Sequence, residues 1–328
     1  MASNAIIDSI SARCRITDED VLAMRRAYYS DASITEGEAS ELFALNDSCS
    51  SHAVSWTQFF TEALSDFIVH QMKPEGYVDE ANAKWLMGHI DADGKLESWN
   101  ELELLIGIIE KAKSVPANLN IYALNQVKYA VLSGQGVTRS GSELKAGVVT
   151  EGDVQILRRI LYAYGSGDNI GITIPEAEVL FDINDATAKA DNHPSWSILF
   201  AQAIANHLMM AQGYQAPDRQ TALRREQWLD EKPTMGSFIT AMVTGLREVY
   251  KNSWNDIGAE VQARKIRLTR EAASGESEKI TSREAAWLAA RINRDGEISP
   301  AERAALTFIK QESPEINPAL KPLLDLVA

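Results

Sequence analysis

Apolar residues recur at three- and four-residue intervals along most of this chain, the spacing that gives a helix one apolar face. The runs Phe59, Phe60, Leu64, Phe67, Ile68 and Leu102, Leu104, Leu105, Ile108, Ile109 show it most clearly. No stretch alternates apolar and polar positions over the length of a strand, so the expected fold class is all-α. The most apolar segment, 196–211, is shorter than the ~20 residues needed to span a bilayer and carries Gln202, Asn206 and His207, which predicts a buried helix. A further stripe runs through Ile239, Met242, Leu246, Val249 and Tyr250, then Trp254, Ile257 and Val261. It predicts two helices with a joint near Asn252, because Ser253-Trp254-Asn255-Asp256 has the form of a helix cap.

The same patterns occur twice, in the same order. "ITDEDVLAMRRAYY" (16–29) matches "VTEGDVQILRRILY" (149–162), and "ITEGEASELFALND" (34–47) matches "ITIPEAEVLFDIND" (172–185). "SWTQFFTEALSDFI" (55–68) matches "SWSILFAQAIANHL" (195–208), aligning Trp56 with Trp196 and Phe60 with Phe200. Residues 77–105 pair with 279–309, which sets Trp85 against Trp287 and Gly94 against Gly296. The chain therefore reads as a duplication. Its domains are expected at 1–133 and 148–328, with a Gly/Ser-rich linker at 134–147 and an extra helical segment at about 233–275 in the second half.

An apolar residue, then Thr or Ser, then an acid three positions on, recurs at Ile16-Thr17-Asp20, Ile34-Thr35-Glu38, Val149-Thr150-Asp153, Ile172-Thr173-Glu176, Ile280-Thr281-Glu284 and Ile298-Ser299-Glu302. This is the capping box: the hydroxyl accepts from the backbone N–H of the third helical residue, and that residue's acid reaches back to the cap. Pro300 after Ser299 fits the first helical position. Ahead of two such starts stand "HIDADGKLESWNELELL" (89–105) and "RINRDGEISPAERAAL" (291–306), in which an Asp-Gly pair precedes the helix.

These segments resemble degenerate EF-hand pairs, with "DADGKLES" and "NRDGEISPAE" of motif quality. They are also similar to the helix starts of tellurite-resistance TerB-like helical domains, which implies the same all-helical class. The resemblance implies oxygen ligands at loop positions 1, 3, 5, 9 and 12, and short two-stranded bridges between the apolar loop tips. In that register Gly94 places His89 first, then Asp91, Asp93, Glu97 and, last, Asn100, with Glu101 one residue late. Gly296 places Arg291 first, followed by Asn293, Asp295 and Glu302. A cation at the first position argues against an ion there. The 89–101 loop is expected to bind calcium at roughly millimolar concentration or weaker. The loops ending at Glu38, Glu176 and Glu284 offer Ala27 and Tyr29, Gly165 and Gly167, and Ala273 and Gly275 upstream, and should hold no calcium.

A net charge of -14 repels nucleic acid and anionic lipid, and points to protein partners or self-association. The stretch "ARKIRLTR" (263–270) concentrates positive charge inside 233–275, which makes that segment the expected contact surface, the alternative being that it packs back on its own domain. The first twenty residues lack the basic and apolar regions of a signal peptide, and Cys14 and Cys49 are too few for a disulfide framework, so a cytoplasmic protein is expected. The five histidines form no metalloprotease spacing, and no nucleophile elbow, Cys-x-x-Cys or dinucleotide fingerprint occurs. His52 and His193 precede matched Ser-Trp pairs and suit a shared capping or packing role. Trp85, Trp228 and Trp287 each precede a leucine, a placement that predicts core. The reading that follows is a non-enzymatic interaction or scaffold module with no bound cofactor beyond low-affinity calcium. The alternatives are a calcium-responsive regulator using the 89–101 loop, and an enzyme whose site lies between the halves.

Overall fold

A computed structural model describes residues 2–29, 33–49, 51–90, 96, 98–135, 146–163, 172–210, 282–292, 294, 297–312 and 317–327. Among these residues the fold is all-α. The helices are α1 (Ala2–Arg13), α2 (Asp18–Tyr28), α3 (Glu36–Ser48), α4 (Val54–Asp66), α5 (Glu80–Ile90), α6 (Trp99–Lys111), α7 (Ala117–Ser133), α8 (Glu151–Leu161), α9 (Ile174–Thr187), α10 (Pro194–Met210), α11 (Ser282–Arg291), α12 (Pro300–Glu312) and α13 (Lys321–Asp325). A π-helical turn, Phe67–Gln71, continues α4, and a 3-10 turn, Pro318–Leu320, leads into α13. The segment 233–275, with the helices and contact surface expected of it, and Trp228 lie outside the described residues.

The helix starts follow the sequence. Thr17, Thr35, Thr150 and Thr173 each accept from the N–H of the acid three residues on, whose carboxylate takes the cap's own N–H. Ser299 and Glu302 make the same two bonds, at 3.1 and 2.8 Å. These reciprocal bonds satisfy donors that the first helical turn leaves open. The box expected at Thr281 falls partly outside the described residues.

The chain divides into two compact units, Met1–Leu199 and Phe200–Ala328, so the division falls within α10 and the expected 134–147 boundary lies inside the first unit. In that unit α4 packs along α6, α2 lies on α4, and α7 packs against both α8 and α9. Phe59, Phe60, Leu64, Phe67 and Ile68 are buried, as are Leu102, Leu104, Leu105, Ile108 and Ile109, so both apolar runs form core. α4 and α6 approach closely at Gly107, where a Cβ would stand 3.1 Å from Thr61 Cγ2. At the end of α7, Gly134 takes the left-handed conformation (φ 68°) within contact of Ala146, and Gly147 N–H donates to Val131 O at 2.8 Å. Gly134 and Ala146 are therefore neighbours in space, and α8 and α9 fold back on α7. Across this junction Arg159 of α8 grips Glu103 and Glu110 of α6, and Lys128 of α7 reaches Asp182 of α9 at 3.2 Å.

In the second unit Leu208, Ala285, Leu288, Ile292, Ala305, Leu306, Ile309, Leu320 and Leu324 are buried. α11 packs on the 3-10 turn and α12 on α13. His207 meets the edge of Trp287, ring centroids 5.0 Å apart. Trp85 and Trp287 are half-buried, short of the full burial expected of core: each lies beside a histidine ring, and Trp85 also meets the buried rings of Phe43 and Phe67. No described helix is long and apolar enough to cross a membrane.

The loop tips depart from the expected tip-to-tip bridges. Arg15–Ile16 pairs in parallel with Ser51–His52, a segment that carries no capping box. At three other tips a side-chain carboxamide takes the apolar residue's N–H: Gln71 Oε1 accepts from Ile34 at 2.7 Å, Gln126 Oε1 from Leu96 at 3.3 Å, and Asn192 Oδ1 from Val149 at 2.8 Å. At the Val149 tip the backbone takes part as well, since His193 N–H donates to Val149 O at 2.8 Å; at the Ile34 and Leu96 tips the carboxamide meets the N–H in place of a strand partner.

Gly107→Val is expected to lower unfolding stability by about 1–3 kcal/mol, because the branched side chain must push Thr61 and α4 away from α6. Chemical denaturation of the two proteins checks this, and equal midpoints would refute the close approach.

Candidate metal loop and a buried amide network

α5 and α6 are joined by the 89–101 loop. Of its expected ligands, Asp91, Asp93 and Glu97 lie outside the described residues, as do Asn293 and Asp295 of the later loop. The residues that close the first loop at either end are described, and protein groups occupy all of them.

At the loop's start, His89 Nε2 lies 3.1 Å from Ser40 Oγ of α3, and Nδ1 lies 2.9 Å from Trp85 O. A carbonyl only accepts, so Nδ1 carries a proton, and Nε2 faces the serine hydroxyl, which also donates to Glu36 O at 2.9 Å. The imidazole lies over Trp85 with centroids 4.1 Å apart, and Trp85 Nε1 donates to Glu36 Oε1 at 3.1 Å. The ring thus fastens α5 to α3, with both nitrogens against protein groups.

At the loop's exit, Ser98 caps α6 and Glu101 is the third residue of the helix. Ser98 N–H donates to Glu101 Oε2 at 3.0 Å, and Glu101 N–H donates to Ser98 Oγ at 3.3 Å. The register set by Gly94 made Asn100 the closing residue, whereas the cap gives Glu101 the place that the acid holds in the other helix starts. One extra residue, Glu97, separates the buried tip Leu96 from its cap. In the other capping boxes the apolar residue and the hydroxyl are adjacent.

Asn100 and Glu101 are only 6% and 3% exposed, and both turn into a network centred on Asn46 of α3. Asn46 Nδ2 donates to Ser98 Oγ at 3.1 Å and to Glu101 Oε1 at 3.2 Å. Its Oδ1 accepts from Trp56 Nε1 at 3.2 Å and from Asn100 Nδ2 at 2.8 Å. One carboxamide thereby uses both donors and both acceptor positions, all with partners from α4 and α6. Thr57 of α4 donates to Asn100 Oδ1 at 2.5 Å, which closes the network. Asn46 was not read as a functional residue, although the recurrence of Asn-Asp at the ends of "ALND" and "DIND" was a usable signal. Asn184, its counterpart in the match, is also buried. The place of Asn100 is taken in the later segment by Ala301, so that segment lacks the second amide.

His52 and His193 do different work. His52 stacks on Trp56, centroids 6.0 Å apart, with Nδ1 3.4 Å from Asn100 Nδ2. Burial pushes its imidazole below the ordinary 6.5, and the backbone of Asn46 and Cys49 offsets part of that shift. His193 instead places Nδ1 2.6 Å from Ser195 Oγ at the start of α10. Arg291 is 8% exposed at the end of α11, and Glu302 is consumed in the cap of α12. Among the described residues no three His, Cys, Asp or Glu side chains gather as a metal-ligand set. No family model, curated protein or solved structure matches the chain.

Asn46→Asp is expected to destabilise the protein by about 2–5 kcal/mol at neutral pH. It removes two donors and sets a carboxylate against Glu101 inside the core. The defect should shrink in acid as the introduced carboxyl is protonated, and a pH series of urea melts checks both signs. For His52 the folded state favours the neutral ring, so its contribution is complete above about pH 6.5. It is lost as the pH falls from there toward the lower folded value. The stability curve of His52→Gln should be flatter across that window, and an unchanged slope would remove His52 as the cause.

Proposed function

We propose that the chain is a non-enzymatic protein-interaction or scaffold module, built from degenerate EF-hand-like helix-loop-helix units held permanently in one geometry. The observation that carries this reading is the occupation of His89, Asn100 and Glu101 by Ser40, Thr57, Asn46 and Ser98. In a calcium switch the closing carboxylate moves between a metal-bound and a metal-free position, and the helices move with it. Here that carboxylate has both oxygens hydrogen-bonded within the fold, and recruiting it would break the cap of α6 and strand Asn46.

Arg291 supports the same reading in the later unit. It sits buried where the resemblance puts the first oxygen ligand, so this loop carries a positive charge of its own. A fixed unit of this kind presents a surface and transmits no ionic signal. The acidic chain, interrupted by the basic 263–270 stretch, suits a protein partner or a second copy of itself, engaged through 233–275.

Trp85 and Trp99 flank the 89–101 loop, so tryptophan fluorescence and thermal melts followed during a calcium titration test the proposal. Neither signal should change below millimolar calcium, and a chelator should leave the melting temperature unaltered. A micromolar transition that disappears in Asp93→Ala would establish the calcium-responsive regulator instead.

A further inference from the structure

Helix α2 has two unlike faces. Val21, Met24 and Tyr28 are buried, and the opposite stripe, Asp18, Leu22, Arg26 and Tyr29, is exposed. α4 runs beside it in the same direction: Ser55 Oγ donates to Asp18 Oδ1 at 2.5 Å and, seven residues further along each helix, Arg25 meets Glu62 at 2.7 Å. Val54, in the first turn of α4, therefore lies at the Asp18 end of the stripe. Leu22 is 50% exposed and Val54 94%, and with Tyr29 they make three of the seven large apolar side chains exposed among the described residues. Apolar surface gathered on one ridge and edged by charged groups marks a contact face.

The charges beside Leu22 decide what fits the ridge. Asp18 and Glu19 stand four and three residues before Leu22, and Arg26 and Arg25 stand four and three after it, so the acids lie at one end and the bases at the other. A second α2 laid antiparallel on the first, with a two-fold axis at Leu22, sets each residue before Leu22 against the residue equally far after it on the other copy. Asp18 of one copy then faces Arg26 of the other and Glu19 faces Arg25, each pair occurring twice. A parallel arrangement sets acid on acid and base on base. The matched helix α8 lacks this symmetry, because Gly152 and Gln155 stand where α2 has Glu19 and Leu22. There the counterpart of Arg26, Arg159, is held by Glu103 and Glu110, so the same side of that helix meets α6 inside the chain. On α2 that side is exposed.

We propose that the chain forms a two-fold dimer through α2, with two Leu22 side chains meeting at the axis and the Asp18–Arg26 and Glu19–Arg25 pairs closing over them. The inference rests on the reading of the chain as an interaction module, and it adds a surface separate from 233–275. An 11-residue helix with the first turn of its neighbour offers a small contact, so the dimer belongs to the weak, reversible class. The apolar centre supplies the attraction, and the charges select the antiparallel order between two chains that each carry a net charge of -14.

Sedimentation equilibrium of the full-length chain, from micromolar to millimolar concentration, tests this. The chain should show a monomer-dimer equilibrium, and Leu22→Glu should raise its dissociation constant on the order of thirtyfold without shifting the thermal melt. Asp18→Lys and Arg26→Glu should each weaken the dimer as well, because each sets like charges together at both ends of the contact. An equal mixture of those two variants should dimerise again, since every pair across the axis then carries opposite charges. The proposal is overturned if the wild-type chain stays monomeric, if its dimer survives Leu22→Glu, or if the mixture associates no better than either variant alone. A dimer that survives Leu22→Glu leaves association through 233–275 standing, so the same measurement tells the two surfaces apart.

Discussion

The carboxamide of Asn46 is the constraint on which the first unit turns. Buried among apolar side chains, it reaches α4 through Trp56 and α6 through Ser98, Asn100 and Glu101. An apolar residue of the same size would take the acceptor from the Trp56 indole N–H and one partner each from Asn100 and Glu101, a substantial penalty in a medium of low dielectric. The network also fixes direction. Packing of Phe59, Phe60 and Leu64 against the apolar face of α6 tolerates sliding, whereas an amide with four assigned partners does not. The cap of α6, and with it the exit of the candidate metal loop, is therefore positioned from α3.

Much of this was legible in the sequence wherever the physics is local. Capping boxes depend on residues three apart, so Thr17–Asp20 and Thr173–Glu176 could be read directly, and apolar spacing revealed the buried faces of α4 and α6. Asn46 was hidden because its partners lie 10 to 55 residues away, and an asparagine within a helix looks the same whether it faces solvent or core. The 89–101 loop misled for a different reason. Its glycine and its cap imply registers one residue apart, and only the bonds of Ser98 show that the cap governs. Trp85 was assigned to the core by its neighbouring leucine, yet its indole N–H reaches the exposed Glu36.

Charge plays a secondary part, at the junction of α8 with α6. The guanidinium of Arg159 takes Glu103 through two parallel bonds of 2.9 and 2.8 Å and Glu110 through two more of 2.8 and 3.0 Å. Hydrogen bonds donated to Glu110 and then to Glu103 hold it even more firmly protonated than an ordinary arginine. All three side chains remain a quarter or more exposed, so salt and water moderate the attraction. What the cluster supplies is geometry: one planar group brings together two carboxylates that would otherwise repel in an acidic chain.

The carboxamides of Gln71 and Gln126 carry a consequence for how such a chain can change. A helix pair whose loop must trade backbone bonds with a sister loop is tied to that sister, and an insertion separating them threatens both. A loop whose apolar tip is finished by one side chain from the same neighbourhood is independent of its relatives. It can be copied, left without a counterpart, or separated from its match by new sequence, at no cost to its own hydrogen bonding. The later half holds roughly sixty more residues between 195–208 and 279–309 than the earlier half does between 55–68 and 77–105, a difference in length that this independence permits.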